Sequence, residues 1–130
     1  MLRALFEGVC FEHRRHIGVL REAGLPVESA VMSGGGSRSQ HWPQIMADVL
    51  EIPLRVAEAR ETGALGAAIG AAVAIRLYPD YEEAVAAMTR VANAYQPDAA
   101  QVSHYGRRYG LYAELTVQLR GFWSALRLPQ

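Results

Sequence analysis

Leu2, Leu5, Phe6, Val9, Ile17 and Leu20 recur every three or four positions, with His13 on the same stripe, and predict an amphipathic helix over residues 2–22. Gly24 and then Pro26 end it. Ser29-Ala30-Val31-Met32 is a short apolar run that predicts a buried strand, closed by Gly34-Gly35-Gly36. Trp42, Ile45, Met46, Val49 and Leu50 then share one helical face. Pro43 must lie in the first turn of that helix, because an interior proline loses a hydrogen bond and clashes with the preceding turn. This predicts a start near Ser39. Leu54-Arg55-Val56 predicts a second short strand, and residues 61–77 a helix built almost wholly from small side chains. Pro79-Asp80 breaks that helix, and Asp80 is placed to cap another over 81–91. Residues 93–98 read as a loop. A long last helix over 101–126 carries Tyr105, Tyr109, Tyr112, Leu115, Leu119, Phe122 and Trp123.

Two strands separated by a helix predict a parallel pair with a crossover. Parallel sheets are normally covered on both faces and hold more than two strands. The expected fold class is therefore α/β and helix-rich, the second half of a domain whose first strands are missing. An open sheet edge and the apolar faces of the first helix (Leu5, Phe6, Val9, Ile17) and the last (Phe122, Trp123) would need partners, so a homo-oligomer is expected.

Composition narrows the function. The chain has 130 residues, 51% of them apolar, with thirteen basic and thirteen acidic side chains and no net charge. That suits a packed domain and disfavours nucleic acid as a partner. All thirteen basic residues are arginine. The chain thus supplies no P-loop lysine, no Schiff-base lysine and no protein-kinase strand lysine. The longest uncharged run, 62–75, is shorter than the roughly 20 apolar residues a membrane span needs. The start of the chain has no signal-peptide layout, and a single cysteine, Cys10, fits a reducing compartment. A cytoplasmic protein is expected.

Strand, glycine loop and helix start follow one another through Val31-Met32-Ser33-Gly34-Gly35-Gly36-Ser37-Arg38-Ser39. Glycines let a ligand lie against bare backbone, and free amides at a helix start favour an anion. Three readings fit these residues: a tight turn that merely needs glycine, a nucleotide site, or a dinucleotide fingerprint using Gly34, Gly36 and Glu58. The last suffers from Ser39 standing where a third glycine belongs. No Gly-Lys-Ser/Thr follows, which excludes a Walker A loop. Gly63, Gly66 and Gly70 interrupt the small-residue helix at a cost of roughly 1 kcal/mol each relative to alanine, so a close backbone neighbour is expected there.

Ala4-Leu5-Phe6-Glu7-Gly8, the 33–39 loop with Trp42, and Ala64-Leu65-Gly66-Ala67-Ala68, in this order and spacing, resemble the C-terminal domain of FGGY carbohydrate kinases. These are actin-like, hexokinase-type ATPases of xylulokinase or glycerol kinase type, with ribonuclease-H-like domains. The resemblance covers about residues 2–77. It implies that Gly34, Gly35 and Gly36 pack against the adenosine of ATP, with Ser39 near the base. It also implies that 64–72 packs between two lobes. By the same resemblance the chain, 1–130, is the C-terminal portion of the nucleotide-binding domain, without the sugar-binding N-terminal domain. The carboxylate base, the Mg2+ site and most contacts to a sugar or polyol then lie upstream, and the chain alone is inactive. Asp48, Asp80 and Asp98 match no motif of the family.

His13 and His16 lie one turn apart with Cys10 nearby, but a zinc site wants a third or fourth ligand. Packing is the expected role of His13, and no metal site is expected. A NAD-binding module and a non-catalytic self-associating domain are the alternatives to the kinase reading.

Overall fold

The computed structural model describes residues 2–126, so the ends of a domain spanning 1–130 lie outside them. Helix α1 runs Leu2–Glu22, as the apolar stripe predicts. It closes with Gly24 at φ 81°, where the Gly24 amide donates to the Arg21 carbonyl (3.0 Å) and that of Leu25 to Leu20 (3.0 Å). That is a Schellman closure, which needs the left-handed conformation that glycine adopts without strain. Strand β1 is Ala30–Met32, and a 3₁₀ turn, Gly35–Arg38, leads to α2, Trp42–Leu50. Pro43 sits in the first turn of α2, but the helix starts three residues later than Ser39. Ser39 is extended, with φ −68° and ψ 137°, because the 3₁₀ turn uses up the chain before it.

β2, Leu54–Ala57, pairs parallel with β1 in the register Ala30↔Leu54, Val31↔Arg55, Met32↔Val56. Helix α3, Thr62–Ala74, and α4, Tyr81–Met88, follow. Asp80 caps α4 by accepting from the Glu83 amide at 2.9 Å. α4 ends earlier than expected, where Arg90 turns back to donate to the carbonyls of Ala87 (2.8 Å) and Thr89 (2.7 Å). A cation at a helix C-terminus satisfies orphan carbonyls and opposes the helix dipole.

The next segment corrects the loop expected at 93–98. Val91–Tyr95 forms β3, antiparallel to β2, with Leu54↔Tyr95 and Val56↔Asn93 and a bulge between Val56 and Ala57. Backbone pairing with β2 overrides the turn preference of Asn93. The sheet is mixed, in the order β1-β2-β3, so β1 and β3 are its edges. Asp98 then caps α5, Ala99–Gln118, accepting from Ala100 at 2.8 Å, and the long last helix divides at Leu119 into α5 and a short α6, Arg120–Ala125.

The core lies where α1, α2 and α5 meet over the sheet: Cys10, Phe11, Met46, Ala47, Val49, Leu50, Ile52, Leu54 and Tyr105. Phe11 touches the rings of Tyr105, Tyr109 and Tyr112 at centroid distances of 6.4, 6.0 and 5.3 Å, which makes the tyrosines of the last helix packing residues. α3 and α4 bury little beyond Ile69, Ala72 and Ala84.

Candidate functional site

The three loop glycines have three different reasons to be glycine. Gly34 has φ 82° and ψ −164°, a conformation essentially restricted to glycine. The turn behind it is held by the Ser37 amide and hydroxyl, which donate to the Gly34 carbonyl at 3.2 and 2.7 Å. At Gly36 a Cβ would meet Trp42 Cζ3 at 2.6 Å, Trp42 Cε3 at 2.9 Å and the Met32 Cε at 3.1 Å. Its glycine is therefore demanded by the indole. Gly35 has neither constraint: its φ is ordinary, and the nearest atom to a Cβ there is Arg38 Nη2 at 3.9 Å. Nothing within the fold requires glycine at 35, and the position is exposed.

Ser39 Oγ accepts from the backbone amides of His41 (3.3 Å) and Trp42 (3.2 Å), so it closes the start of α2. Its place in the loop, outside the helix, also removes the dinucleotide fingerprint. That motif needs a third glycine packed between strand and helix. Trp42 anchors the loop to α1 twice. It stacks on Phe6 at 4.6 Å between centroids with 16° between planes, and its Nε1–H donates to Cys10 Sγ at 3.3 Å.

Each aspartate singled out in the sequence has a structural task. Asp48 is 3% exposed; its Oδ1 accepts from Gln44 Nε2 (2.8 Å) and from the Asp98 amide (2.9 Å), which ties α2 to the start of α5. Asp80 and Asp98 are helix caps. Among the described residues no three His, Cys, Asp or Glu side chains come together. The histidine expected to pack, His13, is exposed instead, its Nδ1–H donating to the Val9 carbonyl at 2.8 Å. Cys10 turns the other way into the core, where burial pushes its thiol up to about 11.

The glycines of α3 also depart from expectation. No atom lies within 4 Å of a Cβ built at Gly63, Gly66 or Gly70, so nothing in the described residues approaches that backbone closely.

A polar seam joins α1 to α5, and the sequence reading missed it. Glu7, 3% exposed, receives Arg3 Nε at 2.9 Å and Arg108 Nη2 at 3.0 Å, while Arg3 Nη2 donates to the Tyr105 hydroxyl at 2.9 Å. Further along, Glu12 accepts from Tyr112 Oη–H and from Arg15 Nη2 at 2.8 Å. Those contacts, Arg15 foremost, hold the Glu12 carboxyl below the usual range. Burial and then Glu12 push Tyr112 up to about 12. The Arg3–Glu7 spacing of four was the available signal; the partners on α5, about a hundred residues on, left none.

The helix-rich α/β unit, with a parallel pair crossed by α2, has the actin-like ATPase fold, the class of the solved relatives it matches. A xylulose kinase from Rhodospirillum rubrum superposes with a TM-score of 0.76 at 33% identity, over 94% of this chain and 25% of that one. Residues 1–75 match the profile of the FGGY family of carbohydrate kinases, C-terminal domain, and the chain belongs to that family. It is 31% identical over 127 residues to the L-xylulose/3-keto-L-gulonate kinase of Escherichia coli, covering 98% of this chain and 26% of the relative. With the ribulokinase of Mycolicibacterium smegmatis it shares 39% identity over 114 residues, 87% of this chain and 20% of the relative. The chain thus spans about a quarter of the length of the kinases it matches. No described helix is long and apolar enough to cross a membrane.

Proposed function

We propose that this chain supplies the adenosine wall of an ATP-dependent sugar or polyol kinase, acting as the C-terminal portion of its nucleotide-binding domain in the cytoplasm. The observation that carries this reading is Gly35: an exposed glycine between β1 and α2, with room for a Cβ and no need of glycine for its own fold. A base or ribose lying on bare backbone is the remaining reason. Gly34 and Gly36 keep the turn open and braced on Trp42, and Ser39 holds the helix start beside it. On this reading the Mg2+ site, the general base and most sugar contacts come from parts of the enzyme outside these residues. α3, with glycines that face no neighbour here, is the surface on which the rest of the enzyme would close.

The chain alone should show no phosphoryl transfer with ATP, Mg2+ and a panel of ketoses and polyols. Adding a separately expressed N-terminal portion of a related xylulose kinase should produce turnover. Activity of the chain by itself would sink the reading, since a base within these residues would then have been overlooked.

We also propose that the chain in isolation self-associates. β1 has an unpaired edge, and a groove of about 380 Å³ separates it from α1, lined by Val9, Val31, Met32, Met46 and Leu50. Val9 and Val31, on its lining, stand exposed. Unpaired edges recruit backbone, so the chain in isolation forms a dimer or higher oligomer through this side. Light scattering coupled to size exclusion, over a dilution series, should show mass above that of one chain. A cooperatively unfolding monomer at every dilution contradicts it.

A further inference from the structure

We infer that the cleft between the start of α1 and the first half of α5 is a binding site for a small organic phosphate, separate from the glycine loop. A cavity of about 610 Å³ opens there, lined by Arg3, Ala4, Glu7, Gln101, His104 and Arg108. Gln101, His104 and Arg108 are spaced three and four apart, so they share one face of α5, and Arg3 meets them from α1. Glu7 lies at the floor and holds both guanidinium groups, one on each carboxylate oxygen. One buried negative charge against two positive ones leaves the cleft with an excess of one positive charge.

A guanidinium carries five N–H groups. Arg3 uses its Nε–H and one Nη2–H, while Arg108 meets Glu7 as an ion pair, its Nη2 3.0 Å from Oε2. Arg3 makes no other hydrogen bond and Arg108 none among the described residues, and the side chains of Gln101 and His104 make none. Glu7 therefore orients two arginines whose free donors surround the cavity with an amide and an imidazole. Preoriented arginines on a planar-anion scaffold suit a phosphoryl group. The body of such a ligand has a place as well. A neighbouring cavity of about 760 Å³ shares Arg3 and Gln101; its walls carry Leu2, Phe6, Ile45 and Tyr95, and Asp48 on its lining turns a phosphate away from this part while leaving room for an uncharged, hydroxyl-bearing body. Binding would clamp α1 to α5, since the anion bridges donors from both helices.

The test is a titration of the isotopically labelled chain with inorganic phosphate and with ribose 5-phosphate, each at constant ionic strength, following amide and arginine Nε resonances. Saturable shifts at Arg3, Gln101, His104 and Arg108 are expected, with ribose 5-phosphate binding the tighter. Gln101→Glu sets a carboxylate in the cleft without touching the Glu7 pairs and should weaken binding at least about tenfold, the equivalent of one decade in Kd. His104→Ala should weaken it less, and Gly35→Val should leave it unchanged. The proposal is overturned by an absence of saturable shifts with both probes, by unaltered binding to Gln101→Glu, or by shifts confined to the 34–39 loop and lost in Gly35→Val. Equal affinity for the two probes overturns the extension into the neighbouring cavity.

Discussion

α1, α2 and α5 differ from α3 and α4 in what they do with apolar surface. The first three bury Phe11, Val49, Leu50 and Tyr105 in one core, and buried carboxylates beside it, Glu7 and Asp48, are held by ion pairs or hydrogen bonds. In the α3–α4 wing Ile75, Leu77, Tyr81 and Val85 stand exposed, and the glycines of α3 face no neighbour. Helix α3 is apolar all round, a pattern that belongs to a helix buried on every side. The first region holds the core of the described residues, although α1 and α5 also leave Leu5, Val19, Leu111 and Leu115 exposed, and the second has almost no core of its own. The glycine loop lies beside the core, braced by Trp42, which is why a fold spanning a quarter of its relatives can still present a defined loop.

The largest expected effect breaks the core side. Phe11→Ala removes the ring on which three tyrosines converge and should cost about 3–5 kcal/mol, measured by urea unfolding. Leu77→Ala, on the exposed wing, should stay within about 0.5 kcal/mol. A wing substitution as costly as the core one would mean that α3 and α4 are covered in solution, and the comparison would fail.

Alkaline pH sharpens the same contrast with a smaller effect. Cys10 and Tyr112 both have folded pKa values raised above their ordinary ones of 9.0 and 10.0, to about 11 and about 12. The folded state holds these protons more tightly than the unfolded one, so their contribution is complete below pH 9 and is lost as pH rises to about 12. Stability should fall across that window, and Cys10→Ser with Tyr112→Phe should flatten the fall. In the native state Cys10 should react with an alkylating reagent at pH 8 only as fast as the protein opens. Rapid labelling would contradict its burial against Trp42.

Much of this was legible from the chain. The stripe from Leu2 to Leu20, Pro43 in a first turn and Asp80 as a cap are local signals, and the structure follows them within a few residues. β3 was not legible, because Val91-Ala92-Asn93-Ala94-Tyr95 has weak alternation and a turn-former at its centre. It becomes a strand only when β2 offers an edge. The separate reasons for Gly34 and Gly36 were hidden as well. A run of three glycines looks alike at each position, and only the indole of Trp42, six residues on, shows that Gly36 is a packing glycine. That leaves Gly35 as the informative one.

Gly35→Val therefore gives the most direct measurement. The substitution fits the apo fold, since a Cβ there meets nothing closer than the end of the Arg38 side chain at 3.9 Å. Thermal unfolding of the parent chain, or of the complemented enzyme, should shift upward with ATP in proportion to occupancy, and NAD should not reproduce it. In Gly35→Val the apo transition should remain and the ATP shift should vanish. An ATP shift undiminished in Gly35→Val would contradict the placing of adenosine against Gly34, Gly35, Gly36 and Ser39.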